Sequence, residues 1–120
     1  MARDVAGVLP LTVRLGPLLV LGSRRFVLAR LVVPTGELLS LHAVVAGAMA
    51  AAPGVPALVR PGRWTPHVTL ARGLGTSQVG DSLAILGPVT TLDGSIEAVR
   101  RWDPTAGRAW PVGRKPTMDA

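Results

Sequence analysis

The fold depends on one stretch, Trp64-Thr65-Pro66-His67-Val68-Thr69-Leu70-Ala71-Arg72, which follows a loop rich in proline and glycine. From Pro66 onward its polar and apolar residues largely alternate. This predicts a β-strand, because successive side chains of a strand point to opposite faces. His67 and Thr69 would share one open face, whereas Val68 and Leu70 would form an apolar face that can pack. We expect the rest of the chain to be arranged around this strand.

The chemistry of the imidazole and hydroxyl pair suits a phosphate group. An imidazole can give or take a proton near neutral pH, and a hydroxyl can donate a hydrogen bond to an anionic oxygen. His-x-Thr alone, however, occurs by chance in many proteins, and a single histidine on a strand is more often a half-exposed polar residue. The motif therefore needs its sequence context before it indicates a function.

The context is a resemblance to the two-histidine phosphoesterases, the superfamily of the 2'-5' RNA ligases and cyclic phosphodiesterases. Residues Pro66-His67-Val68-Thr69-Leu70-Ala71-Arg72 resemble the second His-x-Thr motif of that family. The resemblance extends from about Pro10 to about Val112, and the order of elements looks like the C-terminal part of such a protein. Family members carry two motifs, one per lobe, related by a pseudo-twofold axis across a cleft. This chain carries one.

The resemblance implies acid–base chemistry without metal or cofactor on RNA or on a small cyclic or 2'-5' phosphodiester substrate. His67 would be one of two catalytic proton-transfer residues, and Thr69 would be one of two residues that hold the phosphate. Strict alternation places Arg72 away from His67, so Arg72 is a secondary phosphate-binding candidate that needs a bend at the strand end. A single positioned acid or base contributes roughly 10²–10⁴ in rate, so losing its counterpart should nearly silence the reaction.

Three explanations of the missing motif stay open. The first lobe lies upstream of an incorrectly chosen start codon, or the chain is an inactive or truncated relative that binds phosphate or RNA ends without turnover. In the third, two copies form a homodimer about a twofold axis, and His67 and its mate replace the two motifs. The homodimer is suggested by the apolar surface that a missing lobe would leave uncovered.

The pattern of elements predicts an α+β fold, in which an antiparallel sheet carries two helices packed on one face. The resemblance equates this with the C-terminal lobe, and part of the rest, of a bilobal two-histidine phosphoesterase. A chain of 120 residues suffices for one small domain. We expect that domain to cover residues 1–113 and residues 114–120 to form a disordered tail.

Two strands and a helix are predicted before the motif. The strands cover Leu11–Val20, interrupted near Gly16-Pro17, and Phe26–Val33, and they should form an antiparallel hairpin. Thr35 is the expected N-cap of an amphipathic helix that runs to about Ala51.

A helix and a further hairpin are predicted after the motif. Thr76 should cap the helix, and Gly87-Pro88 should end it. Its expected buried face consists of Val79, Leu83 and Leu86. Asp93-Gly94 signals a turn, Ser95–Trp102 alternates as a strand, and residues 108–112 should pair back on it.

Three other residues have structural interpretations. Arg30 is expected to be an edge charge that discourages aggregation, with a phosphate contact as the alternative. His42 lies on the margin of the apolar stripe of its helix, where histidines usually pack or cap. It is no second motif, because Val44 supplies no hydroxyl and a helix separates positions 42 and 44. Trp64 should anchor the end of its loop on the core.

Composition points to an anionic partner. The net charge is +6, and arginine supplies twelve of the thirteen basic residues, which fits RNA or a phosphate ester. A biased genome would give the same composition. Aromatic residues make up only 3%, which weakens any model built on base stacking. The absence of cysteine excludes disulfides, thiolate metal sites and cysteine nucleophiles, and the histidines and carboxylates show no metal-ligand spacing.

The chain start lacks the apolar core and cleavage site of a signal peptide, so we expect a cytoplasmic protein. Leu38–Val59 carries no formal charge and is long enough to span a bilayer. It contains His42, Pro53, Gly54 and Pro56, however, and its last third has the composition of a loop. We therefore expect no membrane association.

Overall fold

The computed structural model describes residues 7–49 and 63–112, which form six strands and two helices. In chain order these are β1 (Leu11–Gly22), β2 (Phe26–Val32), α1 (Gly36–Met49), β3 (His67–Leu74), α2 (Thr76–Leu86), β4 (Leu92–Ile96), β5 (Val99–Asp103) and β6 (Arg108–Val112). Four strands form an antiparallel sheet in the order β3-β2-β1-β4, and β5 pairs with β6. The predicted α+β class with an antiparallel sheet is confirmed at this level.

The chain divides into two compact units. The first, here called the sheet unit, comprises Val13–Pro34 and Thr65–Gly94. It contains β2, β3, α2 and most of β1, and therefore every residue of the predicted phosphate site. The described residues of the second unit contain α1 and the β5–β6 hairpin. A single domain over residues 1–113 stays a prediction, and the predicted tail at 114–120 lies outside the described residues.

The interruption predicted near Gly16-Pro17 is confirmed as a bulge in β1. Leu15 pairs with Val32 and Leu18 pairs with Arg30, so β1 advances three residues where β2 advances two. One extra residue in one strand locally disrupts the hydrogen-bond ladder and bends the strand. The glycine suits this position, because a Cβ on Gly16 would lie 3.2 Å from the Cγ2 atom of Val33.

Arg30 is buried, and its interpretation as an edge charge is wrong. Its strand, β2, lies between β1 and β3, and the residue is only 9% exposed. The guanidinium donates hydrogen bonds to the carbonyl oxygens of Gly16, Leu15 and Thr90. A buried charge is tolerated where its donors are satisfied. The Arg30 guanidinium is therefore bound to backbone carbonyls of the bulge, which speaks against the alternative of a phosphate contact.

The core of the sheet unit is formed by short apolar side chains of neighbouring strands. The buried members are Val13, Leu28, Ala29 and Val32. Leu28, the largest fully buried side chain, is 1% exposed. Complete burial of a leucine contributes roughly 1.5–3 kcal/mol, so β2 supplies much of the stabilisation that holds β3 in place.

Helix α1 begins as predicted. The Oγ1 atom of Thr35 accepts a hydrogen bond from the backbone N–H of Leu38 at 3.1 Å, which is the N-cap interaction. The helix buries Leu38 and Leu41, and the structure describes it to Met49. The ring of His42 stacks on Trp64 with centroids 3.9 Å apart and an interplanar angle of 7°. Both residues therefore have packing roles.

No helix among the described residues is long and apolar enough to cross a membrane. The second half of Leu38–Val59, the segment considered as a span, lies largely outside the described residues.

Helix α2 differs from its prediction at its start and in its burial. Its N-cap is Gly75 and not Thr76, and the backbone N–H of Gly75 donates to Gln78 Oε1 at 2.8 Å. The predicted end is confirmed, since Gly87 donates its N–H to the carbonyl of Leu83. The predicted buried face is wrong, because none of its residues is buried. Among the described elements, the helix contacts β2 and β3.

The turn predicted at Asp93-Gly94 is wrong, because both residues lie inside β4. Asp93 accepts a hydrogen bond from Arg14 Nε at 3.2 Å, so pairing with β1 overrides the local turn signal. The predicted strand Ser95–Trp102 is divided between β4 and β5. The final hairpin is confirmed, with residues 99–103 paired to residues 108–112.

Candidate functional site

Among the described strands, β3 lies at the edge of the four-stranded sheet and pairs with β2. The carbonyl oxygen of Pro66 accepts a hydrogen bond from the backbone N–H of Val32 at 3.0 Å. Since Pro66 is buried, this bond fixes the chain immediately before His67. The entry into β3 is therefore held by the core of the sheet unit.

His67 and Thr69 lie on the same face of β3. His67 pairs with Leu31, Val68 with Arg30 and Thr69 with Ala29, and this register is continuous. Alternation along a regular strand then places the first and third residues on one face. His67 is exposed and Thr69 is half-buried. The structure thus brings together the imidazole and the hydroxyl that the sequence pattern paired, although it does not test their roles.

The imidazole of His67 has a defined hydrogen bond at one nitrogen. Nδ1 lies 2.7 Å from the carbonyl oxygen of Thr65. A carbonyl oxygen only accepts, so Nδ1 must carry the proton and donate. In the neutral ring the lone pair then resides on Nε2, which has no hydrogen-bond partner within residues 7–49 and 63–112. This arrangement leaves Nε2 free to accept a proton from a ligand.

A second bulge changes the expected position of Arg72. Thr69 pairs with Ala29 and Ala71 pairs with Leu28, so Leu70 is an extra residue of β3. The insertion reverses the alternation that follows it, because each added residue shifts side chains to the other face. Arg72 therefore falls on the face of His67 and Thr69. Arg72 needed a bend in the strand to reach this face, and the bulge at Leu70, two residues before Arg72, supplies that irregularity.

The opposite face of β3 is less covered than predicted. Val68 is 44% exposed and Leu70 is 47% exposed, so the expectation that they form a packed apolar back is wrong. The physical reason is the position of β3 at the edge, next to a helix that buries none of its own residues. The site is therefore carried by the pairing of β3 with β2.

The basic character of the site increases toward the end of β3. Arg25 Nη1 donates to the carbonyl oxygen of Gly73 at 3.1 Å, which places the β1–β2 turn beside Arg72. The ion pair recorded among the described residues joins Arg14 to Asp93. The same residues include no group of three or more histidine, aspartate or glutamate side chains that could hold a metal ion.

Two parts of this geometry were not predicted from the sequence. The first is the hydrogen bond of His67 to Thr65, which uses a backbone carbonyl and is therefore not indicated by any residue type. The bulge at Leu70 has no glycine or proline to signal it. The irregularity that follows does have a signal, because Gly73 has a φ of 65°, a conformation that glycine adopts most easily.

No protein-family model, curated protein or solved structure matches this chain. The resemblance to the two-histidine phosphoesterases therefore remains a prediction that rests mainly on residues 66–72.

Proposed function

We propose that this protein acts on phosphodiester bonds of RNA, as a 2',3'-cyclic phosphodiesterase or 2'-5' RNA ligase-like protein. The observation that carries the proposal is the hydrogen bond between His67 Nδ1 and the Thr65 carbonyl. It supports a ring whose Nε2 atom is available for proton transfer. The proposal needs no metal, which agrees with the chemistry that the resemblance implies.

In the proposed reaction, His67 Nε2 removes a proton from the water that attacks phosphorus. The Thr69 hydroxyl donates a hydrogen bond to one non-bridging oxygen, and Arg72, farther along the same face of β3, would bind a neighbouring phosphate of a longer substrate. The bond to one ribose oxygen breaks, and that oxygen needs a proton as it leaves. Ligation is the same step with a ribose hydroxyl of a second strand in place of the attacking water.

The second proton has two candidate donors. The protonated His67 can return its proton to the leaving oxygen, or a histidine from another copy can supply it. The homodimer remains a proposal, and the edge position of β3 supports it, because a free strand edge can pair with a second copy. Such pairing would bring two His-x-Thr pairs together.

Phosphate or RNA-end binding without turnover is the second candidate function. The observation that favours it is that His67 is the one histidine of β3, on the face that it shares with Thr69. One acid–base group supports binding fully but catalysis only in part. In this case His67 and Thr69 would act as hydrogen-bonding groups for a terminal phosphate.

The test is hydrolysis of uridine 2',3'-cyclic phosphate by the full chain, followed by phosphorus NMR. We expect turnover that persists in EDTA, falls roughly 10²-fold or more in His67→Ala, and falls less in Thr69→Val. His42→Gln is the matched control, because it alters the other histidine. An equal rate in His67→Ala would refute the catalytic role. No turnover with phosphate-induced shifts of the His67 and Thr69 signals would favour the binding function.

A further inference from the structure

Three exposed arginines belong to the two segments that adjoin at the end of β3 that is remote from His67. Arg24 and Arg25 occupy the turn between β1 and β2, and Arg72 precedes the Gly73 carbonyl to which Arg25 donates at 3.1 Å. Residues 24, 25 and 72 are here called the arginine cluster. The whole cluster belongs to the sheet unit, so its geometry relative to β3 is fixed by that unit alone.

The arginine cluster has no acidic partner among the described residues. The ion pair found there uses Arg14 and Asp93, and the recorded bond of Arg25 goes to a neutral carbonyl. Three positively charged residues on adjoining segments, with no carboxylate paired to them among the described residues, create a local positive potential. The planar guanidinium group pairs with phosphate through two parallel hydrogen bonds. The cluster therefore fits a phosphate-rich ligand.

Spacing along β3 separates the cluster from the proposed reaction site. Arg72 is five residue steps along the strand from His67, which corresponds to about 16 Å in a fully extended strand and less with the bulge at Leu70. One phosphate group cannot contact both ends of this distance. A chain of consecutive phosphates can, and the shared face of His67, Thr69 and Arg72 gives it a continuous path.

We propose that the arginine cluster binds the backbone phosphates of a single-stranded nucleic acid, a few bonds away from the phosphate held at His67 and Thr69. The inference rests on the proposed function for the position of the reacting phosphate. Contact with backbone phosphates carries no sequence information. Phe26 is the aromatic residue next to the turn. By alternation along β2 it shares a face of the sheet with Leu28 and Arg30, which is the face that does not carry Arg72, so it is not placed to stack a bound base. We therefore expect RNA and DNA single strands to bind alike.

The test is fluorescence anisotropy of a labelled oligouridylate of about 12 nucleotides, titrated with the full chain from about 20 to about 200 mM KCl. Each phosphate contact to a single strand contributes about 0.7 to the slope of log Kd against log salt. We expect Arg24→Gln to lower the slope by about 0.7, and Arg24→Gln combined with Arg72→Gln to lower it by about 1.4. Both positions are exposed, so the variants should fold.

Arg100→Gln is the matched control, because it removes the same charge from an exposed arginine on β5. We expect it to leave the slope unchanged. An equal fall of slope in Arg24→Gln and Arg100→Gln would overturn the proposal, since binding would then follow net charge alone. Binding to phosphatidylserine vesicles without binding to the oligonucleotide would also overturn it.

The two proposals can fail separately. The oligouridylate ends in a 3'-hydroxyl group and contains no cyclic phosphate, so its binding does not depend on turnover. Salt-dependent binding that needs Arg24, together with no hydrolysis of the cyclic nucleotide, would refute only the enzymatic function. Hydrolysis by the wild type, with identical oligonucleotide binding in the cluster variants and the wild type, would refute only the proposed binding of backbone phosphates by the arginine cluster.

Discussion

Arg30 and Gly16 are joined by two hydrogen bonds, in which Nε and Nη2 lie 3.0 Å and 2.9 Å from the Gly16 carbonyl oxygen. The bonds form where β1 carries its extra residue, so the guanidinium satisfies carbonyls at a point where the strand ladder is disrupted. It also reaches the carbonyl of Thr90, which ties the segment before β4 to β2. Arg30 thereby stabilises both the bulge and the strand that supports β3.

Replacement of this guanidinium should destabilise the protein strongly. Arg30→Met keeps a long side chain but leaves the carbonyls of Leu15, Gly16 and Thr90 without their donor. Hydrogen bonds to a charged group contribute about 1.5–3 kcal/mol, and unsatisfied buried acceptors add a penalty. We expect the free energy of unfolding to fall by about 2–4 kcal/mol, measured by urea denaturation with circular dichroism.

Arg24→Met is the control for Arg30→Met, because Arg24 is exposed and makes no hydrogen bond within residues 7–49 and 63–112. Its unfolding free energy should stay within about 0.5 kcal/mol of the wild type. Arg30→Lys should give an intermediate loss, since an ammonium group cannot reproduce the planar fork of donors. Equal urea midpoints for Arg30→Met and Arg24→Met would show that the buried guanidinium contributes nothing.

The positive φ of Gly73 predicts a second stability effect. Gly73 has a φ of 65°, and an added Cβ would meet no atom within 4 Å, so only the backbone conformation opposes a side chain. Gly73→Ala should therefore cost about 1–2 kcal/mol. Gly80 lies within α2 and its added Cβ also meets nothing, so Gly80→Ala should stabilise by about 0.5–1 kcal/mol. Thermal unfolding measures both, and changes of the same sign would contradict this account.

Burial predicts a third pair of outcomes. Leu28→Ala removes a side chain that is 1% exposed and should cost about 2–5 kcal/mol. Ile85 is 84% exposed on α2, so Ile85→Ala should change the unfolding free energy by less than about 0.5 kcal/mol. Chemical denaturation compares the two variants. A large loss for Ile85→Ala would mean that α2 is covered in solution, as it would be in a homodimer.

Local patterns predicted the elements well where one strand or helix decides its own structure. The alternation of residues 67–69 predicted a shared face for His67 and Thr69, and a threonine before an apolar helix predicted the Thr35 cap. Both features depend on side chains a few residues apart. The end of α2 at Gly87 was predictable for the same reason, because a glycine ends a helix through its own backbone.

Features set by a neighbouring strand were not predictable in this way. Asp93-Gly94 has the composition of a turn, but it is paired in β4 and Asp93 contacts Arg14 of β1. Arg30 is a charged residue of the kind found on edge strands, but its strand, β2, pairs with β3 as well as with β1. The bulge at Leu70 is a one-residue shift in the pairing of β3 with β2, and this shift determines the face of β3 on which Arg72 lies. Each case depends on a partner distant in sequence.

The hydrogen bond at His67 predicts the tautomer of the neutral imidazole. The Thr65 carbonyl oxygen, 2.7 Å from Nδ1, can accept a hydrogen bond only from a protonated nitrogen. Long-range proton–nitrogen NMR spectra of the full chain, recorded above neutral pH, should show Nδ1 protonated and Nε2 unprotonated. Added inorganic phosphate should shift the Nε2 signal more than the Nδ1 signal, since Nε2 is the atom left for a ligand. The His42 ring, which is stacked on Trp64, is the internal control, because phosphate should not shift its signals. A neutral His67 ring protonated at Nε2 would remove the base on which the proposed chemistry depends.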